Sequence, residues 1–193
     1  IDFRCGFSTA KFTHRPFPTH RRHLHPLSDP SFTAPIRPLS PQMRIEAATL
    51  DDLPQLVDLV MALMELEEDF QPDRDKQETG LRLVLEQPNR GRIFVIRTDY
   101  QIVGMVNLLF TISTAMGGFV LLMEDVIIHP DHRGQGFGTQ LMEYVIEFAQ
   151  KKDFKRITLL TDQISAESQR FFQKIGFQHS HMIPMRMTFS GVE

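Results

Sequence analysis

Two carboxylates stand inside an otherwise apolar run, Val120-Leu121-Leu122-Met123-Glu124-Asp125-Val126-Ile127-Ile128. A carboxylate is out of character in a buried strand. Desolvation there raises its pKa toward that of a working general base. Glu124 is the stronger candidate, the alternative being a carboxylate that caps or salt-bridges for structural reasons alone. Strict strand alternation sends Glu124 and Asp125 to opposite faces, so only one of them is expected at a substrate. Beyond Pro130, the segment Arg133-Gly134-Gln135-Gly136-Phe137-Gly138-Thr139 leads from strand into helix. Glycines let the backbone approach a ligand closely and turn its N–H groups inward. The first N–H groups of a helix lack internal partners, and the macrodipole adds about half a positive charge. A diphosphate suits such a site, with Arg133 as a charged contact. A tight strand-to-helix turn that binds nothing is the competing explanation. The spacing Gly134-x-Gly136-x-Gly138 departs from the dinucleotide pattern G-x-G-x-x-G. Thr139-Gln140 also stands where a P-loop carries Lys followed by Ser or Thr.

The elements that must hold these residues can be read from Met43 onward. Residues 44–48 suit a short strand, and Thr49 precedes Asp52 by three positions in the manner of a capping box. Leu53, Leu56, Val57, Val60, Leu63 and Met64 recur at helical spacing, so 50–66 is an amphipathic helix. A second helix covers 75–87 and is stopped by Pro88, Asn89 and Gly91. Strands follow at 92–98, 102–112 and 118–129, the last two apolar enough to be buried on both faces. A helix over 136–152, a strand over 156–161 and a helix over 165–175 come next, the last stopped by Gly176. Two terminal strands, at 177–182 and 185–189, are expected to close the domain, with Pro184 between them. The result is an α/β fold, a mixed central sheet of six to seven strands flanked by helices on both faces.

Composition sets the bounds. At 193 residues the chain holds one well-cored domain. A net charge of −3 makes no global case for nucleic-acid binding. No apolar run approaches the roughly 20 residues needed to span a bilayer, so no membrane partner is expected. Cys5 is the sole cysteine, which excludes an internal disulfide and a cysteine-based zinc cluster; it fits a reducing compartment, and a cytoplasmic location is expected. Residues 1–42 are different material, holding seven of the twelve prolines, four of the eight histidines and a net charge of +4. They read as an extension, disordered or non-native, ahead of a domain spanning 43–193. A non-native gene start, a transit-like leader and a histidine cluster (His14, His20, His23, His25) are three readings of it. Nothing fixes the geometry of those histidines, and no metal is expected.

Arg133-x-x-Gly136-x-Gly138 resembles the pyrophosphate loop of the GNAT family of N-acetyltransferases, (Q/R)-x-x-G-x-(G/A). The run from Asp125 to Pro130 looks like that family's fourth strand. Phe172-Gln173-Lys174-Ile175-Gly176-Phe177 is similar to its later signature, an aromatic residue four positions before Gly-Phe. Motif order and element order cover nearly all of 43–193. The resemblance implies acetyl-CoA as co-substrate. Backbone groups of Val126, Ile127 and Ile128 would pair with the pantetheine amides. Loop amides from Arg133 through Gly134, Gln135, Gly136, Phe137 and Gly138 to Thr139 would hold the pyrophosphate. The helix at 165–175 would flank the thioester, with Ser165 standing where the family often has Asn. Ser168, Phe171 and Phe172 would lie beside the cofactor, although plain core packing accounts equally well for either phenylalanine.

Transfer of acetyl from a thioester to an amine needs a neutral amine, a polarised carbonyl and a stabilised thiolate. Glu124-Asp125 resembles the diamine acetyltransferase-like branch, which implies Glu124 as base, acting through water, and Asp125 at the substrate. Many relatives carry a Tyr acid where this chain has Phe172; only Tyr100 and Tyr144 exist, and neither maps there. Either water or Ser168 protonates the thiolate, or the thiolate leaves unprotonated. Glu65, Glu67, Glu68 and Asp69 cluster where the first helix ends. Glu67 and Glu68 would form an acidic rim for a cationic amine, the alternative being a solvated patch. The acceptor is thus expected to be a small amine, or a peptide amine if the chain is a protein N-acetyltransferase. A catalytically weak acyl-CoA sensor is the reading from another class, favoured by Phe172. By analogy with the fold, a homodimer is an open assembly.

Overall fold

The computed structural model describes residues 43–66, 71–99, 101–161 and 165–189. Residues 1–42, Glu67 and Glu68 of the expected rim, and Tyr100 lie outside them. Five strands form one sheet in the order β1-β2-β3-β4-β5: β1 (Arg44–Ala47), β2 (Gly91–Arg97), β3 (Ile102–Ser113), β4 (Gly118–Ile128) and β5 (Ile157–Leu159). The first four pair antiparallel, and β5 joins β4 in parallel. The helices are α1 (Leu53–Met64), α2 (Arg74–Leu85), α3 (Phe137–Lys151) and α4 (Ala166–Ile175).

The apolar periodicity of each helix decides which side of the sheet it covers. Leu53, Leu56, Val57, Leu59 and Val60 of α1 and Leu81 of α2 pack with Ile93, Val95, Met105 and Ile127. Leu141, Met142, Val145 and Ala149 of α3 pack on the opposite side with Phe94, Ile96, Val106, Leu121 and Met123. Alternate residues of β2 therefore serve opposite layers, as a two-period strand requires. Phe171 and Phe172 of α4 join the α3 layer. Gly176, with φ at 110°, ends α4 in the left-handed conformation.

Two expectations need correction. The segments 177–182 and 185–189 form no strands, so the sheet has five strands among the described residues rather than six to seven. Met185-Arg186-Met187-Thr188-Phe189 has the alternation of a half-buried strand, yet Met185 is 97% and Phe189 79% exposed. Alternation alone cannot bury a face that no neighbouring element covers. The capping box at Thr49 opens a short 3-10 turn, Leu50–Asp52, ahead of α1.

Asp52 closes that turn and does a second job. Its carboxylate accepts from the Thr49 backbone N–H at 2.9 Å and from Arg97 Nη2 at 2.7 Å, while Arg97 Nε reaches Glu46 Oε1 at 2.6 Å. Burial opposes the charge on Asp52, but the Thr49 N–H and the Arg97 guanidinium outweigh it and hold the carboxyl below its ordinary 3.8. A depressed folded pKa contributes stability above the unfolded value and loses it as pH falls through the folded one. Asp52→Asn is therefore expected to cost about 1–3 kcal/mol at neutral pH, a difference that shrinks below roughly pH 4. Urea unfolding of both proteins at neutral and acidic pH checks it.

Candidate active site

Between β4 and β5 the sheet opens. The two strands pair only through Leu121, Leu122 and Met123 opposite Ile157, Thr158 and Leu159. Beyond Met123, β4 continues to Ile128 with no strand on its β5 side among the described residues. This half-paired edge borders a cavity of about 630 Å³. Val126, Ile127 and Ile128 line one wall, and Ser165, Ser168, Phe171 and Phe172 of α4 line another. Arg133, Gly134, Gly136, Phe137, Gly138 and Thr139 form its end at the start of α3.

The glycine turn is built as its composition requires. Gly134 (φ 73°) and Gly136 (φ 83°) adopt the left-handed conformation, and Gly136 is the N-cap of α3. A Cβ on Gly138 would stand 3.3 Å from Phe171 Cζ, so its absence lets α4 pack against the start of α3. Arg133 Nε donates to the Ile128 carbonyl at 3.0 Å, tying the loop to the end of β4. Gln135 is the one loop residue that does not line the cavity; its Nε2 donates to the Asp131 carbonyl. Ser165 caps α4, and its hydroxyl donates to Ser168 Oγ at 2.9 Å.

The expectation that Glu124 and Asp125 face opposite ways is overturned by a bulge. Met105 opposes Ile127 and Asn107 opposes Glu124, so two steps on β3 match three on β4. Asp125 carries a φ of 47°, strained for a non-glycine residue at a cost of about 1–3 kcal/mol. Met105 belongs to the α1 layer, and Asn107, two residues on, points to the same side with Glu124 across from it. Asp125 reaches that side as well, its Oδ2 accepting from Asn107 Nδ2 at 3.0 Å. Both carboxylates therefore line the cavity.

Their electrostatics follow from this crowding. Glu124 is exposed to the cavity, yet partial burial of its carboxyl pushes its pKa up, and the charge of Asp125 pushes it the same way. Burial also raises Asp125, opposed by the Asn107 amide. Asn107 itself is 5% exposed, and its Oδ1 lacks a partner, alone in this among the buried side-chain oxygens and nitrogens of the described residues. A buried carbonyl left without any partner costs about 1–3 kcal/mol, and no donor among the described residues reaches this one. Asn107, Glu167, Leu63 and Leu66 were not among the sequence candidates, though the last three line the cavity. For Asn107 the signal was present, since it interrupts the apolar run from Val103 to Leu109 just as Glu124 interrupts its own.

Residues 59–177 match the profile of the acetyltransferase (GNAT) family. The chain belongs to the GNAT acetyltransferase family. That family membership makes it an acetyl-CoA-dependent N-acetyltransferase. An aminoalkylphosphonate N-acetyltransferase of Salmonella typhimurium is 26% identical over 141 residues, covering 73% of this chain and 88% of its own. An aminoglycoside acetyltransferase from an uncultured soil metagenomic sample, solved with sisomicin, superposes with a TM-score of 0.63 at 21% identity, covering 77% of this chain and 97% of that one. A predicted acetyltransferase from Clostridium acetobutylicum, solved with acetyl-CoA, gives a TM-score of 0.61 at 17% identity, covering 75% and 96%. At these identities the two structures speak for the fold alone. Among the described residues no helix is long and apolar enough to cross a membrane, and no group of three or more His, Cys, Asp and Glu could hold a metal ion.

Proposed function

We propose that this enzyme acetylates a primary amine of a small cationic acceptor, with Glu124 as general base and acetyl-CoA held along β4 and the α3 turn. The observation that carries the reading is the bulge, which sets two carboxylates side by side at the end of an unpaired strand edge. The residues present fit the co-substrate. The free side of Val126–Ile128 offers backbone groups to an amide-bearing chain, and the left-handed Gly134 and Gly136 aim a helix N-terminus at the cavity. Bound acetyl-CoA supplies the thioester whose acetyl group moves to nitrogen.

The chain's own groups then divide the work. An amine in water is mostly protonated and cannot attack, so a base must remove that proton. Glu124 is exposed on the cavity wall, and its raised pKa suits it to take a proton from an ammonium. Asp125 supplies a second negative charge that holds the cation in place. Phe172 has no proton to give, and Tyr144 packs edge-on against Phe94 in the α3 layer. The departing thiolate is therefore protonated by water, with the Ser168 hydroxyl on the cavity wall beside it.

Charge also narrows the acceptor. Among the described residues lining the cavity, Glu124, Asp125 and Glu167 are acidic and Arg133 is the one Arg or Lys, standing on the turn assigned to pyrophosphate. The 67–70 segment, Glu67-Glu68-Asp69-Phe70, adds no cation by sequence. A substrate carrying a phosphonate would meet like charge at this end, whereas a diamine, a polyamine or a lysine-like side chain would not. Thiol release measured over a panel of polyamines, lysine analogues, aminoglycosides, aminoalkylphosphonates and peptide N-termini tests this. Cationic amines are expected to exceed aminoalkylphosphonates in kcat/KM by at least roughly tenfold. The reverse order would overturn the acceptor assignment. Tight CoA binding without turnover on any amine would favour the sensor reading to which Phe172 points.

A further inference from the structure

Asn107 is a polar residue at a buried sheet position that packing alone would give to an aliphatic one. Of the two buried polar or charged side chains among the described residues, Asp52 is accounted for by its turn and by Arg97. Asn107 lies between Ile93 on β2 and Glu124 on β4, facing the α1 layer, where an aliphatic side chain would pack without an orphaned carbonyl. Its single side-chain hydrogen bond goes to Asp125, the residue bent into the left-handed region at the bulge. Two local costs, a carbonyl without a protein donor and a strained backbone, thus fall on adjacent strands and end in one contact.

We propose, resting on the reading of Glu124 and Asp125 as the acceptor end, that Asn107 is a positioning residue whose amide clamps the Asp125 carboxylate beside Glu124. Asn107 does not line the cavity and touches no substrate; it acts through Asp125. The clamp fixes the direction of the second carboxylate, and as an N–H donor it favours the state in which both carboxylates are ionised. Burial works against that state at Asp125, and the amide is what opposes burial there. The other charged or titratable groups sharing the cavity are Glu167 on α4 and His132 and Arg133 ahead of α3. Near this pair β3 contributes Asn107 and no ionisable side chain, and the end of α1 contributes Leu63 and Leu66.

Asn107→Leu removes the donor while keeping the volume. The expected result is a drop of roughly tenfold in kcat/KM for the amine, with CoA affinity unchanged. The acidic limb of the pH profile is expected to move up by about one unit, because ionising both carboxylates becomes harder. In an Asp125→Asn background the same substitution is expected to have no further effect, the signature of a residue that acts through its partner. Carbon-13 carboxyl NMR of Asp125 in full-length wild type and Asn107→Leu, with Asn107→Val should the leucine not fold, reads the clamp without turnover. An Asp125 midpoint that moves up supports the clamp, and an unchanged midpoint overturns it whatever the rates do. Should Glu124→Gln retain full turnover while the Asp125 midpoint still moves, the base assignment fails and the clamp stands.

Discussion

Glu124→Gln is expected to lower kcat by about 10²–10⁴-fold, the range a positioned general base supplies, while leaving CoA affinity untouched. The substitution keeps the shape of the side chain and removes only its ability to take a proton. Because Glu124 lies on the α1 side of β4, the substitution leaves the turn at Gly134–Thr139, proposed to hold the pyrophosphate, undisturbed. Burial and the charge of Asp125 both raise its pKa, so the acidic limb of wild-type kcat/KM should lie above the ordinary carboxyl value of 4.5. The same shift has a sign for stability. A group whose folded pKa is raised contributes stability below its unfolded value and loses it as pH rises through the folded one. At neutral pH an ionised Glu124 therefore weighs against the fold, and Glu124→Gln should melt at or above the wild-type temperature. Initial rates, CoA titration and thermal melts on the two proteins check all three parts. A variant that melts lower and binds CoA poorly would mark Glu124 as a structural carboxylate.

Gly136→Val is the second large effect, and it acts on the opposite end of the cavity. Gly136 caps α3 with φ at 83° and ψ at 0°, a region from which a β-branched residue is driven by its own Cβ. Space is not the obstacle, since a Cβ there would meet only Gln140 Nε2 at 3.8 Å. Relieving the strain must turn the peptide and redirect the N–H groups that open α3. CoA affinity is expected to fall by about 10²-fold, roughly the loss of two charge-assisted hydrogen bonds. Gly138→Ala makes the contrast. Its backbone is unstrained, and the Phe171 ring edge at 3.3 Å need shift only slightly, so a much smaller loss is expected. Calorimetric titration with CoA separates the two. Wild-type affinity in Gly136→Val would reduce the glycines to a tight turn and remove the pyrophosphate assignment.

Much of this architecture could be read along the chain because its causes are local. Leu53, Leu56, Val57 and Val60 repeat at the period of a helix whose face must be covered, and α1 covers it. The run from Val120 to Ile128 is too apolar for a surface strand, and β4 lies inside the sheet, between β3 and β5. Gly134 and Gly136 take the left-handed conformations that glycine permits without a steric penalty. Glu124 stood out because a carboxylate in apolar surroundings is unfavourable unless it has work to do.

Tertiary pairing decided the rest. Whether Asp125 sits opposite Glu124 or beside it depends on one extra residue in the β3–β4 register, and the order of apolar and polar residues is the same in either case. Asn107 matters through a residue eighteen positions away that only the ladder brings within 3.0 Å. The alternation of Met185 to Phe189 states what that segment could bury, while the sheet leaves it uncovered. Residue type and spacing determined which groups this protein has for acyl transfer and on which elements they lie, since those follow from short-range sterics and burial. Strand register and the contacts between layers determined which of those groups meet, because they depend on atoms that the chain brings together only on folding.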